Sequence, residues 1–337
     1  MKLGTLQTCL RAFVVGERTL PPLDAEGWAM AQAHRLAGTV YHMQVPLGHD
    51  ERQAAKQTWL SQAAAHVRRA AVLAERWPAT SRAPLVFKGA DLVENLYGDP
   101  GARRMSDLDL LLPPLDHAEA LAALSPRADR MAYPRSECFA AEPPYEVALH
   151  FGDVVLELHQ APQPLHRGGP AAADLYARSV PGHLAGCSVR YPAPEDRLLL
   201  WLTNQAKGSF QGDLADLLDL CMLLRAMPTP CPWMALAEHA RAAGLGRPLQ
   251  LAVRRLARSG LWPEPLPALT LWNDRLADTL LASQDQPAVD LPAWRFQALK
   301  VWLADDPARP AIVSRLFATG WRRLYSQVSG TKTMSPG

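Results

Sequence analysis

The spacing of apolar residues divides the chain into a helical beginning, a middle of short alternating runs and a helical end. Residues 1–80 read as helical. Asp24 is placed to cap a helix running through Trp28, Met30, Ala31 and Leu36, and Asp50 to cap a longer one towards Trp77. In that second helix Trp59, Ala63, Val67, Ala70 and Leu73 recur at steps of three and four, which predicts one apolar face. Arg68 and Arg69 fall off the stripe and read as solvated.

From about Pro84 the period shortens. Leu85-Val86-Phe87 predicts a strand ended by Lys88-Gly89, and Ala90 to Tyr97 reads as a helix. Gly98-Asp99-Pro100-Gly101 is a turn cluster. Leu108 to Leu112 predicts a second strand, stopped by Pro113-Pro114, with a helix from Asp116 to Leu124. Glu146 to His159 reads as a hairpin around Gly152-Asp153, a pair suited to a two-residue primed turn. Such a turn sets Phe151 opposite Val154, Ala148 opposite Glu157, and Glu146 opposite His159.

Between Pro164 and Pro194 the chain reads as loop, with a short strand at Ser188 to Tyr191. From Glu195 it is helical again, most clearly over Leu198 to Leu202, Leu214 to Leu224, Trp233 to Ala243, Leu249 to Leu256 and Trp294 to Leu303. The expected organisation is an N-terminal helical region over 1–80, a core over 81–165, a C-terminal helical region over 190–327 and a flexible tail over 328–337.

Composition changes this picture little. The chain has 337 residues, of which 48% are hydrophobic and 20% charged, as in an ordinary globular protein. A net charge of +2 supplies no global field to recruit nucleic acid or an anionic membrane. The five cysteines are scattered without a C-x-x-C pair, which suits free thiols in a reducing cytoplasm. Arg11, Glu17 and Arg18 bracket only a short apolar stretch, unlike a signal peptide, and no apolar run reaches the ~18 residues that span a bilayer. A soluble cytoplasmic protein is the expectation.

The chemistry concentrates in Arg103-Arg104-Met105-Ser106-Asp107-Leu108-Asp109-Leu110-Leu111-Leu112. Side chains alternate along a strand, so Asp107 and Asp109 project from one face while Leu108, Leu110 and Leu112 enter a core. Two carboxylates side by side repel unless a cation lies between them, and Mg²⁺ suits carboxylate plus phosphate oxygens. The hairpin adds a third carboxylate, Glu157, on the face it shares with Val155 and His159. Burying that charge unpaired is costly, and a metal shared with Asp107 and Asp109 is an economical partner.

Lys88-Gly89, then Leu96-Tyr97-Gly98-Asp99-Pro100, then Arg104-Met105-Ser106-Asp107-Leu108-Asp109-Leu110-Leu111 together resemble the signature of the uncharacterised bacterial nucleotidyltransferases of the polymerase-β superfamily. The likeness is strongest over about 85–165. Pro194-Glu195-Asp196-Arg197-Leu198-Leu199 and Leu214 to Leu224 resemble the family's helical C-terminal part.

The resemblance implies an α+β fold: a small mixed nucleotidyltransferase sheet with helices, flanked by helical regions. It implies Asp107 and Asp109 as ligands of Mg²⁺ or Mn²⁺, with Glu157 third and helping to activate an acceptor hydroxyl. The donor would be a nucleoside triphosphate such as ATP, attacked at its α-phosphorus with release of pyrophosphate. The turn at Gly89 and Ala90 would cradle the phosphates. Many superfamily members have Gly or Ser where Ala90 stands, so only backbone can serve there.

Supporting residues keep two readings each. Arg104 either neutralises phosphate or pairs with a nearby acid, and Ser106 either shapes the turn presenting Asp107 or merely caps it. Lys88 and Lys207 either reach phosphate or are solvated. His159 either orients Glu157 or takes Glu146 as partner. No zinc spacing and no other phosphate loop competes. Without a basic, aromatic-interleaved stripe, the acceptor is expected to be a small molecule or a protein rather than a long nucleic acid. A catalytically inactive nucleotide-binding regulatory or scaffold protein is the alternative.

Overall fold

The computed structural model describes residues 4–266 except 80, 134–143, 164–168, 208–209, 211–212 and 229–230. The helix expected over 294–303 and the tail over 328–337 lie outside the described residues.

Four helices come first: α1 (Gly4–Val15), α2 (Ala25–Ala33), α3 (Ala37–His42) and α4 (His49–Arg76). Asp24 caps α2 by accepting the Gly27 N–H at 2.7 Å. Asp50 does not cap α4. That helix starts behind Gly48, and Asp50 and Glu51 fall in its first turn, where carboxylates meet the positive end of the helix dipole. Its buried line is Ala55, His66, Ala70 and Leu73, whereas Val67 is 59% exposed. A step of one residue rotates about 100°, so burying His66 turns Val67 away from the core.

The sheet follows. Strand β1 (Leu85–Phe87) leads through one α-turn, α5 (Gly89–Leu92), into a wider π-turn over Val93–Tyr97, where one regular helix was expected. Gly98 ends it at φ +66° and donates its N–H to the Val93 carbonyl. Next come β2 (Leu108–Leu111), α6 (Pro114–Leu124), the edge strand β3 (Arg130–Ala132) and the hairpin β4 (Glu146–Phe151) and β5 (Val154–His159). The hairpin register is the expected one, with Phe151 opposite Val154, Ala148 opposite Glu157 and Glu146 opposite His159.

The short strand expected at Ser188 to Tyr191 is present as the last of a second hairpin, β6 (Val180–Leu184) and β7 (Cys187–Tyr191), and the segment expected to be loop before it also contains α7 (Ala172–Arg178). The seven strands run in the order β3-β4-β5-β2-β1-β7-β6. β2 pairs parallel with β5 and antiparallel with β1, and β1 pairs parallel with β7, so the sheet is mixed and the fold α+β. Helices α8 (Pro194–Lys207), α9 (Leu214–Arg225), α10 (Trp233–Ala242) and α11 (Gly246–Ser259) complete the described chain.

Two apolar clusters hold these elements. One lies on the sheet and joins Val86, Leu108, Leu110, Val147, Leu156 and Leu158 to Leu73 of α4 and Leu124 of α6. The other joins Leu6 and Leu10 of α1 to Leu202 of α8, Leu218 of α9 and Leu256 of α11. The first and last described helices therefore share a core.

The turn cluster at 98–101 links the two halves. Asp99 accepts from Trp59 Nε1 at 2.8 Å and from the Gly101 N–H at 2.7 Å, and faces His42 Nδ1 at 3.0 Å. A Cβ on Gly101 would lie 2.4 Å from the Trp59 ring and 2.6 Å from its carbonyl oxygen. Glycine is required there by close approach. The motif thus clamps α3 and α4 onto the strand that carries the carboxylates.

Candidate active site

Strand pairing brings the central carboxylates together. Asp109 lies beside Glu157 across the parallel β2–β5 pair, and beside Phe87 across β1. One row further on, Leu111 neighbours His159, which neighbours Glu146. Residues two apart on a strand share a face, so Asp109, Glu157, His159 and Glu146 converge.

Asp109 is 3% exposed. Its Oδ1 accepts from Lys88 Nζ and from His159 Nε2, the latter at 3.0 Å. No described residue hydrogen-bonds its Oδ2. Burial alone would raise the Asp109 carboxyl, but Lys88 and His159 outweigh it and hold the group below the ordinary carboxylate range. Burial and the Lys88 charge would likewise lower His159, and its bonds to Asp109 and Glu157 outweigh them and keep it raised. The Lys88 ammonium is raised too, because the Asp109 charge overcomes burial.

Lys88 reaches this position through an unusual backbone. It sits between β1 and α5 at φ +54°, ψ −128°, a region that favours glycine. Strain of this kind costs about 1–3 kcal/mol and persists where surrounding structure imposes it. A Cβ on the next residue, Gly89, would lie 2.8 Å from Met105 Cγ and 2.9 Å from an Arg103 nitrogen. Ala90 has its side chain buried in the sheet core at 1% exposure, so it offers only backbone to a ligand.

These residues open onto a cleft of about 620 Å³, within the roughly 300–1,000 Å³ typical of small-molecule sites. Lys88, Gly89, Arg104, Ser106, Asp107, Asp109 and Lys207 all line it, together with Arg35, Arg103, Gln205 and Asp216. Asp107 immediately precedes β2, lines the cleft with Asp109 and accepts from Ser106 Oγ at 2.9 Å. Burial, then the charges of Asp109 and Glu157, push its carboxyl up to about 6. Arg104 is exposed and makes no ion pair among the described residues. Lys207 comes from the last turn of α8, 3.5 Å from Glu146 and over the Tyr145 ring at 5.0 Å.

The tightest group of metal-ligand atoms is not the expected trio. Single donor atoms of Asp109, Glu157 and His159 lie within 4.8 Å of one another. Asp107 stands outside that group but within electrostatic reach of both carboxylates. Glu157 and Ala90 are not among the lining residues of the cleft itself.

A family model described as an uncharacterised nucleotidyltransferase matches residues 25–259. The chain belongs to that family. Searches of curated proteins and of solved structures found no match. The span of this nucleotidyltransferase family runs from α2 to α11, and so includes both the carboxylate strands and the helical wall of the cleft.

Sequence reasoning missed the part of this candidate site that lies on that wall. Arg103 donates to both oxygens of Asp219, at 3.0, 3.0 and 2.8 Å, and Tyr97 Oη donates to Asp219 at 2.8 Å. The signal available was Asp219 itself, an acid within the apolar run of α9. Asp216, one turn earlier, accepts the Asp213 N–H at 3.0 Å to complete a capping box.

Burial, then the charges of Asp219 and Asp213, push Asp216 up to about 6. An unfolded aspartate titrates near 3.9, so the folded chain holds this proton more tightly and Asp216 costs stability as pH rises from about 4 to about 6. Asp216→Asn keeps a cap acceptor and removes the charge. Its stability relative to the parent is expected to grow across that window, reaching up to about 2 kcal/mol at pH 7. Urea unfolding of both proteins at pH 4, 5, 6 and 7 checks this, and a constant difference rejects it.

Among the described residues no helix is long and apolar enough to cross a membrane.

Proposed function

We propose that this protein is a metal-dependent nucleotidyltransferase of the polymerase-β type, moving a nucleoside monophosphate from an NTP to a hydroxyl acceptor. The observation that carries the reading is Asp109, flanked by Asp107 and Glu157 on one face of a mixed sheet that opens onto a polar cleft.

The residues fit a hard divalent cation such as Mg²⁺ or Mn²⁺. Lys88 and His159 both engage Oδ1 of Asp109, which leaves Oδ2 for a further cation. Asp107, Asp109 and Glu157 would hold the metal, with His159 fixing Asp109 from behind. The bound metal supplies electrostatic stabilisation of the attacking and leaving oxygens.

The chain's own groups do the rest. Lys88, Arg104 and Lys207 offer positive charge to the triphosphate, and the first N–H groups of α5, unpartnered within the helix, face it as donors. Ser106 steadies Asp107. The acceptor oxygen forms a bond to the α-phosphorus, the bond from that phosphorus to the bridging oxygen breaks, and pyrophosphate leaves. Glu157 takes the acceptor's proton. The cleft carries acids and bases in equal number, which favours a small molecule or a protein side chain over a long polyanion as acceptor.

The test is incubation with each α-labelled NTP plus Mg²⁺ or Mn²⁺ in cell extract. A labelled product accompanied by pyrophosphate is expected. Thermal stabilisation by NTP with no pyrophosphate under either metal overturns catalysis and leaves a nucleotide-binding regulatory or scaffold protein.

A further inference from the structure

One buried residue of the cleft wall is bonded to no other described side chain in the fold. Gln205, on the last turn of α8, is only 4% exposed and lines the cleft. Among the described residues its carboxamide has no hydrogen-bond partner. Other polar residues of the same cleft are satisfied within the fold: Thr39 bonds the Ala102 carbonyl, Asp219 bonds Arg103 and Tyr97, and Asp213 bonds Arg35. What little of Gln205 is exposed faces the cleft, so its donor and acceptor are free to meet a ligand there.

Position limits what that ligand is. Lys88 and Lys207, the lysines offered above to the triphosphate, line the same cleft of about 620 Å³. A group meeting Gln205 is therefore within one nucleoside's reach of the triphosphate. A carboxamide presents a donor beside an acceptor and pairs with any nucleobase edge that presents the reverse order. Asp216 lines the same cleft and, when ionised, only accepts. Once Gln205 has paired with uracil's N3–H and one carbonyl, only a second acceptor is left for Asp216 to meet, whereas an exocyclic amine can donate to it.

From these observations we infer that Gln205 reads the nucleobase of the donor and that, with Asp216, it selects amine-bearing bases over uracil. This rests on the nucleotidyltransferase reading above. Gln205 is thus a specificity-determining residue, distinct from the carboxylates that hold metal.

The experiment is calorimetric titration of the full chain, in Mn²⁺, with the α,β-methylene analogues of ATP, CTP, GTP and UTP, and with inorganic tripolyphosphate. At least one amine-bearing analogue is expected to bind about tenfold or more tighter than the uridine analogue. Gln205→Leu is expected to collapse that preference by about the same factor while leaving tripolyphosphate affinity and melting temperature unchanged. Gln205→Met serves if the leucine variant fails to fold.

Equal wild-type affinities for the four analogues overturn the inference and leave the nucleotidyltransferase reading standing. So does an unchanged ranking in a folded variant. Failure of every analogue to bind overturns both.

Discussion

Replacing Asp109 by Asn is expected to lower nucleotidyl transfer by about 10³-fold or more, the scale seen when a central catalytic group is removed. The amide keeps the shape of the carboxylate and accepts from His159, but it carries no charge for a metal. Asp109→Ala is a different experiment. It strands Lys88 and the wholly buried His159, both of which bond Asp109 Oδ1, and removing one partner of a buried charge pair costs about 3–5 kcal/mol. Asp107→Ala removes a half-buried carboxylate whose neighbours already disfavour its charge. It is expected to abolish transfer while leaving the unfolding midpoint near that of the parent. Pyrophosphate release and urea midpoints measured on the three variants separate the effects. Transfer that survives in both Asp109→Asn and Asp107→Ala rejects the site.

The contrast between those two aspartates shows which features were legible in the sequence. Alternation along a strand places Asp107 and Asp109 on one face, and the Gly152-Asp153 turn fixes which residues of the hairpin oppose each other. Both are local rules; the hairpin register is the observed one, and β2 begins at Leu108, one residue after Asp107. What period and turn chemistry do not encode is which strand pairs with which. The parallel β2–β5 pairing sets Asp109 beside Glu157 and draws His159 onto Asp109, where the hairpin alone offered it Glu146 or Glu157.

Other misses have local causes. β6 contains Pro181 and Gly182, both poor strand formers, and it is tolerated because β6 is an edge strand. Lys88 reads as a phosphate ligand or a solvated lysine, and its bond to Asp109, made from a backbone at positive φ, is in neither reading. Gln205 reads as one more polar residue on a helix until the cleft wall is assembled around it.

Tyr97 and Arg103 gain their meaning from a residue more than a hundred positions away. Asp219, 1% exposed on α9, accepts from both Tyr97 and Arg103, and its charge overcomes burial to hold the Arg103 guanidinium above its ordinary range. Asp219→Ala leaves that guanidinium and a phenol without their acceptor, and is expected to cost about 3–5 kcal/mol in denaturant unfolding. Arg103→Met in the same chain removes the stranded charge, so the double variant is expected to recover part of the loss, as buried ion pairs do when both partners become apolar. Recovery of stability does not restore the site. Arg103 packs where a Cβ of Gly89 would stand, and so shapes the turn that presents Lys88. The double variant is therefore expected to unfold closer to the parent yet bind NTP more weakly. Additive losses in the two single variants would show that Asp219 and Arg103 act separately, and that α9 does not brace the Lys88 turn through them.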